Sequence, residues 1–333
     1  MPAPQLHLTF GETLAREPRL ADALSAACRA EPCYTRLGAI FHDLPYYGNM
    51  VLMAIRYGLR LPAEESYWGN KIHEDRPDQF LARFVITART IDNALTRNER
   101  LAIVAGVCSH VALDLTLHPL VNYIARRDQR EQGGAESHHH RLAEKFHALF
   151  YHLDSKGRDL IGSAEIHEKT MVARRSSLVW LSVEKPLVDL AVASYRAMWN
   201  DSPSRREWMG WVRSFAHFGR MVGHRWALKN SLRLRTQANR AHYFTCRDFD
   251  FYGFWEAGRV RGIQIANRAY EFFERADFSD EARARFIEDV AFDGTLGEPL
   301  GRYGPKLPAP PGQSSSGSAT ARAVRTSKGL TGV

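Results

Sequence analysis

The sequence predicts an all-α fold, and two observations support that prediction. Long segments carry apolar residues every three or four positions, as in Leu142, Phe146, Leu149 and Phe150, which is the period of a helix with one buried face. Alternating apolar and polar runs and Asn-Gly turns, which are typical of strands and hairpins, are almost absent. We therefore expect roughly ten helices packed around a shared core.

Length and charge predict one helical domain followed by a tail. The chain has 333 residues, 44% of them hydrophobic, which is enough for a single large core. Of the net charge of +8, residues 301–333 contribute five basic residues and no acidic one, so residues 1–300 hold 40 basic against 37 acidic residues. We expect an α-helical domain over residues 1–300 and a disordered basic tail over 304–333, which is rich in Pro, Gly and Ser. The nearly balanced domain predicts no nucleic-acid partner.

Cysteine usage and the first residues predict the cellular compartment. The four cysteines form no CxxC pair, so we expect reduced, buried thiols rather than a disulfide framework or a thiolate zinc site. The start of the chain lacks the basic residues followed by an apolar run that mark a secretory signal. We therefore expect a cytoplasmic protein. The sequence does not indicate its oligomeric state.

Residues 101–121 form an apolar segment that ionisable side chains interrupt. The segment is long enough to span a bilayer, but His110, Asp114 and His118 would be costly at the middle of a membrane. We therefore expect a helix buried inside the protein and no transmembrane segment. The spacing of four residues places the three side chains on one stripe of that helix, about 12 Å long.

These three side chains suit a polynuclear metal site. Unpaired charge is costly in an apolar interior, and bound cations would compensate it. Zinc bonds are only about 2 Å long, so His110 and His118 cannot readily share one ion, whereas the carboxylate of Asp114 can bridge two ions. The alternative is that these are core histidines hydrogen-bonded to the backbone or to Asp114.

Further candidate ligands lie on both sides of this helix. His140 and Glu144 are four residues apart and can chelate one ion on a helix, although a run of histidines is often a solvated face. Asp43 ends an apolar stretch, and its alternative role is to cap the next helix. His73 lies in a polar segment that we expect to be a loop, where a histidine is usually exposed. His7, near the start of the chain, is the last candidate.

Four segments that contain these candidates occur in a characteristic order: GAIFHDLPYYG, WGNKIHEDRP, GVCSHVALDLTLHPLVNY and HRLAE. In that order they resemble the zinc-dependent phospholipase C family, whose fold is related to that of the P1/S1-type nucleases. The resemblance covers residues 5–150 and none of the helices that follow. It implies an all-α phospholipase C and P1 nuclease-like bundle with a buried central metal-binding helix, and two or three zinc ions.

The resemblance also implies the ligands of each ion. The implied sets are Asp43, His73, His110 and Asp114 for the first zinc, Asp114 and His7 for the second, and His118, His140 and Glu144 for the third. The family uses its N-terminal residue as a ligand, whereas six residues precede His7 here. The last helix ligand of the family follows a proline, whereas His118 directly precedes Pro119.

The function that the resemblance implies is zinc-dependent hydrolysis of a phosphodiester, with Asp43 also a candidate general base. The expected partner is a phosphodiester substrate, with phospholipid as one candidate. Two alternatives stay open. In the first, His42 and Asp43 form the metal-binding dipeptide of an HD-type phosphohydrolase. In the second, the ligands belong to a non-catalytic helical protein that metal stabilises.

Side chains around these ligands are interpreted from their residue types. We expect the rim of the site among Glu136, His138, His139, Tyr46, Tyr47, Tyr67 and Trp68. Residues 207–242 mix arginines with aromatic residues, a composition that can follow a nucleic-acid strand. Because the aromatic residues recur at helical spacing, we interpret them as core.

Overall fold

The structure, a computed structural model, describes residues 4–48, 66–156, 185–222, 234–245, 249–275 and 277–290 and the single positions 55 and 59. These parts of the chain contain twelve α-helices, one 3₁₀ helix and no strand, so the all-α prediction is confirmed. The 3₁₀ helix is Leu44–Tyr47, and the α-helices are α1 Pro4–Leu14, α2 Asp22–Ala30, α3 Pro32–Ala39, α4 Tyr67–Glu74, α5 Pro77–Thr90, α6 Arg97–Gln132, α7 Glu136–Lys156, α8 Lys185–Trp199, α9 Arg205–Val222, α10 Gln237–Tyr243, α11 Phe251–Glu274 and α12 Asp280–Val290.

Helix α6 is the central element. A capping box fixes its first turn, because the Thr96 hydroxyl accepts from the Glu99 backbone and the Glu99 carboxylate accepts from the Thr96 backbone. Every residue from 101 to 122 is buried. The helix is long and apolar enough to cross a membrane, but its apolar window is wholly buried among other helices, as predicted for a core helix.

Helices from both halves of the chain surround α6. Helices α1, α2, α3 and α5 pack on it from the N-terminal side of the sequence, and α7 and α11 from the C-terminal side. Helix α9 packs on the 3₁₀ helix, and α8 packs on α5 and α9. The second half of the chain therefore helps to fix the elements around residues 43 to 48.

The crossing of α3 and α6 brings two backbones into contact. A Cβ atom on Gly106 would lie 2.8 Å from the backbone nitrogen of Ala39, and closer still to the Thr35 carbonyl oxygen. Only glycine fits there without moving backbone atoms. We expect Gly106→Ala to lower the free energy of unfolding by about 3 kcal/mol, since overpacking at backbone cannot relax. Chemical denaturation measures this.

The matched control for this variant is Gly210→Ala on α9. A Cβ atom on Gly210 meets nothing within 4 Å, so alanine should leave stability unchanged or raise it by up to about 1 kcal/mol through helix propensity. Equal destabilisation by the two variants would contradict the close-crossing explanation.

The aromatic residues of α9 belong to the core. Trp208 and Phe215 are fully buried and Trp211 is 7% exposed, so these rings are not available to stack on bases. The interpretation as core is therefore correct for them. Cys28, Cys33 and Cys108 are unpaired, as predicted, but only Cys28 and Cys108 are buried, since Cys33 is half-buried. Cys246 and the predicted tail, residues 304–333, lie outside the described residues.

Candidate metal centre

The eight candidate ligands come from five parts of the chain. All are buried except His140, whose side chain is 19% exposed. They lie on α1 (His7), just before the 3₁₀ helix (Asp43), on α4 (His73), on α6 (His110, Asp114 and His118) and on α7 (His140 and Glu144).

The expectation that His73 lies in an exposed loop is wrong. His73 is 6% exposed and belongs to α4. The Ser66 hydroxyl caps this helix by accepting from the Gly69 backbone. Trp68 and Ile72, four residues apart, form its buried face. Polar residues between these two positions hide the helical period in the sequence.

The structure brings the eight side chains together in three groups, each able to offer three ligand atoms within 4.8 Å of one another. The groups are His7, His110 and Asp114; Asp43, His73 and His110; and His118, His140 and Glu144. His110 and His118 fall in different groups, as the length of a zinc bond requires. The groups are joined by the carboxylates between them.

Asp114 lies between two pairs of histidines. Its Oδ2 atom is 3.0 Å from His110 Nε2 and 3.6 Å from His73 Nε2. Its Oδ1 atom is 3.3 Å from His7 Nε2 and 3.4 Å from His118 Nε2. Two ligands of one tetrahedral zinc lie about 3.3 Å apart. The two oxygens thus face two separate pairs of candidate ligands at distances that suit shared metal coordination.

Asp43 is a second buried carboxylate whose two oxygens face two different histidines. Its Oδ1 atom is 3.6 Å from His73 Nε2 and its Oδ2 atom 3.8 Å from His7 Nε2. It precedes the 3₁₀ helix but makes no capping hydrogen bond, and among the described residues neither oxygen has a hydrogen-bond partner. Burial, aided by the nearby Asp114, raises the pKa of Asp43 to about 7, although His110 opposes this. Capping does not explain this residue.

The histidine rings are oriented by acceptors on their far side. The Nδ1 atoms of His73 and His110 donate to the carbonyl oxygens of Gly69 at 2.7 Å and Ala39 at 2.9 Å. Their Nε2 atoms therefore face the carboxylates. Two lone pairs facing each other in a buried site repel, and a cation bound between them would remove that repulsion. The donor set fits zinc.

The charges of the side chains around Asp43 and Asp114 also favour a cation between them. Burial lowers the pKa of His73 to about 3 and that of His7 well below its usual range, so these rings are neutral. Against the effect of burial, the carboxylates of Asp114 and Asp43 raise the pKa of His110. The carboxylates thus attract a cation, and the neutral imidazoles can act as its ligands.

His42 belongs to none of the three groups, yet it touches them. Its ring is fully buried and stacks on His110, with ring centres 4.7 Å apart. His7 stacks on the other face of His110 at 4.1 Å. Burial lowers the pKa of His42 well below its usual range. The structure thus places His42 as a packing neighbour of a candidate ligand.

The predicted rim divides into several environments. Tyr46 packs on His73 with ring centres 5.6 Å apart, and its hydroxyl donates to Asn70. Glu136 pairs with Arg126 at 3.2 Å. The remaining members are in other surroundings: His138 is half-buried on α7, His139 bonds to the Gly133 carbonyl oxygen, Tyr47 and Trp68 are buried, and Tyr67 is 62% exposed.

Comparison with known proteins agrees with this geometry. A family model described as zinc dependent phospholipase C matches residues 6–183, more than half of the chain. The chain belongs to the zinc-dependent phospholipase C family. The match includes all eight candidate ligands and ends before α8. No curated protein and no solved structure gives a significant match.

Membership of the zinc-dependent phospholipase C family confirms the predicted resemblance and accounts for the residue types of the centre. The family is a hydrolase family whose description includes zinc. Imidazole and carboxylate groups are common zinc ligands, and this chain brings five histidines and three acids together in its interior.

One residue near the centre escaped the sequence prediction. Asn122 lies on α6, and its Oδ1 atom is 3.0 Å from His140 Nδ1. The signal was present, because Asn122 continues the spacing of four that joins His110, Asp114 and His118. The sequence prediction ends at His118, because an uncharged amide is not among the usual zinc ligands.

Proposed function

We propose that this protein is a zinc-dependent phosphodiester hydrolase that holds two or three zinc ions. The observation that carries the proposal is the position of Asp114, whose two oxygens face two separate pairs of histidines in the protein interior. A core histidine hydrogen-bonded to one acid would not require this arrangement. A polynuclear site accounts for it.

The residues that would hold the ions are those that the family resemblance implies, and the three groups of the structure support them, with His110, which belongs to two groups, assigned to the first ion. The first ion would be held by Asp43, His73, His110 and Asp114, the second by Asp114 and His7, and the third by His118, His140 and Glu144. When bound, zinc lowers the pKa of water and neutralises charge on phosphoryl and leaving oxygens. The donors therefore suit in-line displacement at phosphorus.

Asp43 is the residue that we assign to proton transfer. Its carboxylate lies at the junction of two groups, facing His73 with one oxygen and His7 with the other. From there it can accept the proton of the attacking water as the phosphodiester bond is cleaved. Family membership makes a phospholipid one candidate substrate, and the proposal requires only a phosphodiester.

The experiment that tests the proposal combines metal analysis with turnover. We expect the purified protein to bind two or three zinc ions and to hydrolyse bis(4-nitrophenyl) phosphate or a short-chain phospholipid. Removal of zinc by a chelator should abolish turnover, and added zinc should restore it. Bound zinc without turnover of either diester would favour the non-catalytic alternative, and absence of zinc would overturn the proposal.

Variants of His42 separate the proposal from the HD-type alternative in the same assay. An HD-type enzyme would lose its activity with His42→Ala, because the imidazole would be a ligand there. We expect less than about a tenfold loss, and a smaller one with His42→Phe, since the phenyl ring keeps the stacking contact with His110. Complete loss with both variants, with the protein still folded, would support the HD-type reading.

A further inference from the structure

The side chain of Asn122 contacts His140, a candidate ligand that is oriented by a side-chain amide rather than by a backbone carbonyl. Asn122 is 8% exposed and lies one helical turn beyond His118 on α6. Its Oδ1 atom is 3.0 Å from Nδ1 of His140, which is on α7. On its other side, His140 Nε2 is 2.8 Å from Glu144 Oε1. Asn122 therefore lies behind His140, on the side opposite the third group.

The contact with Oδ1 determines which ring nitrogen carries the proton. An amide oxygen can only accept, so Nδ1 of His140 must donate to Asn122. A neutral imidazole has one proton, and Nε2 is then left with a lone pair that faces Glu144. That lone pair is what a metal ligand needs. Without this acceptor, the short contact to Glu144 would favour the proton on Nε2, and in that tautomer His140 cannot bind metal through Nε2.

This arrangement differs from that of the other oriented histidines. His73 and His110 donate to the carbonyl oxygens of Gly69 and Ala39, which belong to helical backbone and do not depend on a side chain. His140 depends on a side-chain amide, and that amide comes from the same helix as His118. Asn122 thus joins α6 to α7 at the third group.

We propose that Asn122 is a positioning residue that holds the proton of His140 on Nδ1 and thereby sets the affinity of the His118, His140 and Glu144 group for zinc. The inference rests on the proposed function for the metal, and on the structure alone for the tautomer. Acceptors behind metal-binding histidines change affinity by about 10- to 100-fold when removed. The other two groups lack this contact and should keep their affinity.

The test compares Asn122→Leu with Asn122→Asp in the full chain. Zinc affinities are measured by competition with a chelator, and the tautomer of His140 by ¹⁵N NMR of its ring. We expect Asn122→Leu to weaken one zinc site about 10- to 100-fold and to move the proton of His140 away from Nδ1. Asn122→Asp, which keeps an acceptor oxygen, should retain both the affinity and the tautomer.

Thr116→Val is the matched control. Thr116 is buried on the same helix, and its hydroxyl donates within α6, to the carbonyl oxygens of Ala112 and Leu113. We expect this variant to change neither the third site nor His140. A loss common to all sites in Asn122→Leu, or a His140 proton on Nε2 in the zinc-loaded wild-type protein, would overturn the proposal.

Failure of the proposed function gives a different result. If the wild-type protein binds zinc at all three groups but cleaves no phosphodiester, the affinity shift in Asn122→Leu is still expected and supports the positioning role. If no zinc binds under any condition, the role in zinc affinity is overturned together with the metal centre.

Discussion

Asp114→Asn is expected to remove most of the bound zinc and to reduce strongly the stabilisation of the fold by added zinc. Asp114 contacts four imidazoles, two through each oxygen, and an amide can offer only one ligand oxygen in their place. Metal analysis of the purified variant and thermal unfolding with and without zinc measure the effect. Asp114→Ala should lose at least as much zinc.

The size of the effect follows from linkage. A ligand that binds only the folded state stabilises it by about 4 kcal/mol at a concentration 1,000 times its dissociation constant. The wild-type protein should gain this for each saturated site, whereas Asp114→Asn should gain it only at the group of His118, His140 and Glu144, to which Asp114 does not belong. In a chelator this difference should disappear, because neither protein then has zinc to bind.

Asp128→Asn is the control for this prediction. Asp128 is a second fully buried carboxylate on α6, paired with His242 at 2.8 Å and with Arg127 at 3.3 Å, outside the three groups. Its loss should destabilise the protein equally with and without zinc and leave the zinc content unchanged. Unchanged zinc content in Asp114→Asn would remove the bridging role from the proposed function.

The central part of the site was predictable because the period of the helix is regular. His110, Asp114 and His118 are spaced by four inside an apolar run, so sequence alone places them on one stripe. The same reasoning places His140 and Glu144 together on α7. Local periodicity thus indicates which side chains share a face, and the structure adds which faces meet.

The positions of Asp43, His73 and His7 relative to that stripe could not be derived from periodicity. They depend on contacts between helices far apart in sequence, such as the crossing of α3 and α6 at Gly106. The order of the motifs resembles that of a family, and this resemblance predicts that the three residues lie near the stripe. The structure gives their distances from it. The same holds for the packing of α9 on the 3₁₀ helix. The amphipathic pattern of α9 shows that one of its faces is buried, but not which element covers that face.

Asp43→Asn is expected to lower turnover of a phosphodiester by about 100- to 10,000-fold, the usual contribution of a general base. The amide keeps one oxygen toward the neighbouring imidazoles, so zinc content should fall less than in Asp114→Asn. It cannot accept a proton at neutral pH. The measurement is kcat under saturating zinc, with the zinc content determined in the same sample.

Glu144→Gln is the control that distinguishes the loss of a general base from the loss of a metal ligand. Glu144 is also a buried acid within the centre, but it faces His118 and His140 at the third group rather than His7 and His73. If Asp43 acts as the base, restoring zinc occupancy with excess metal should rescue Glu144→Gln and leave Asp43→Asn inactive. If zinc rescues both variants, Asp43 contributes only as a ligand, and the proton acceptor must be sought elsewhere. Rescue of neither would mean that each carboxylate supplies charge that the bound metal needs for the reaction.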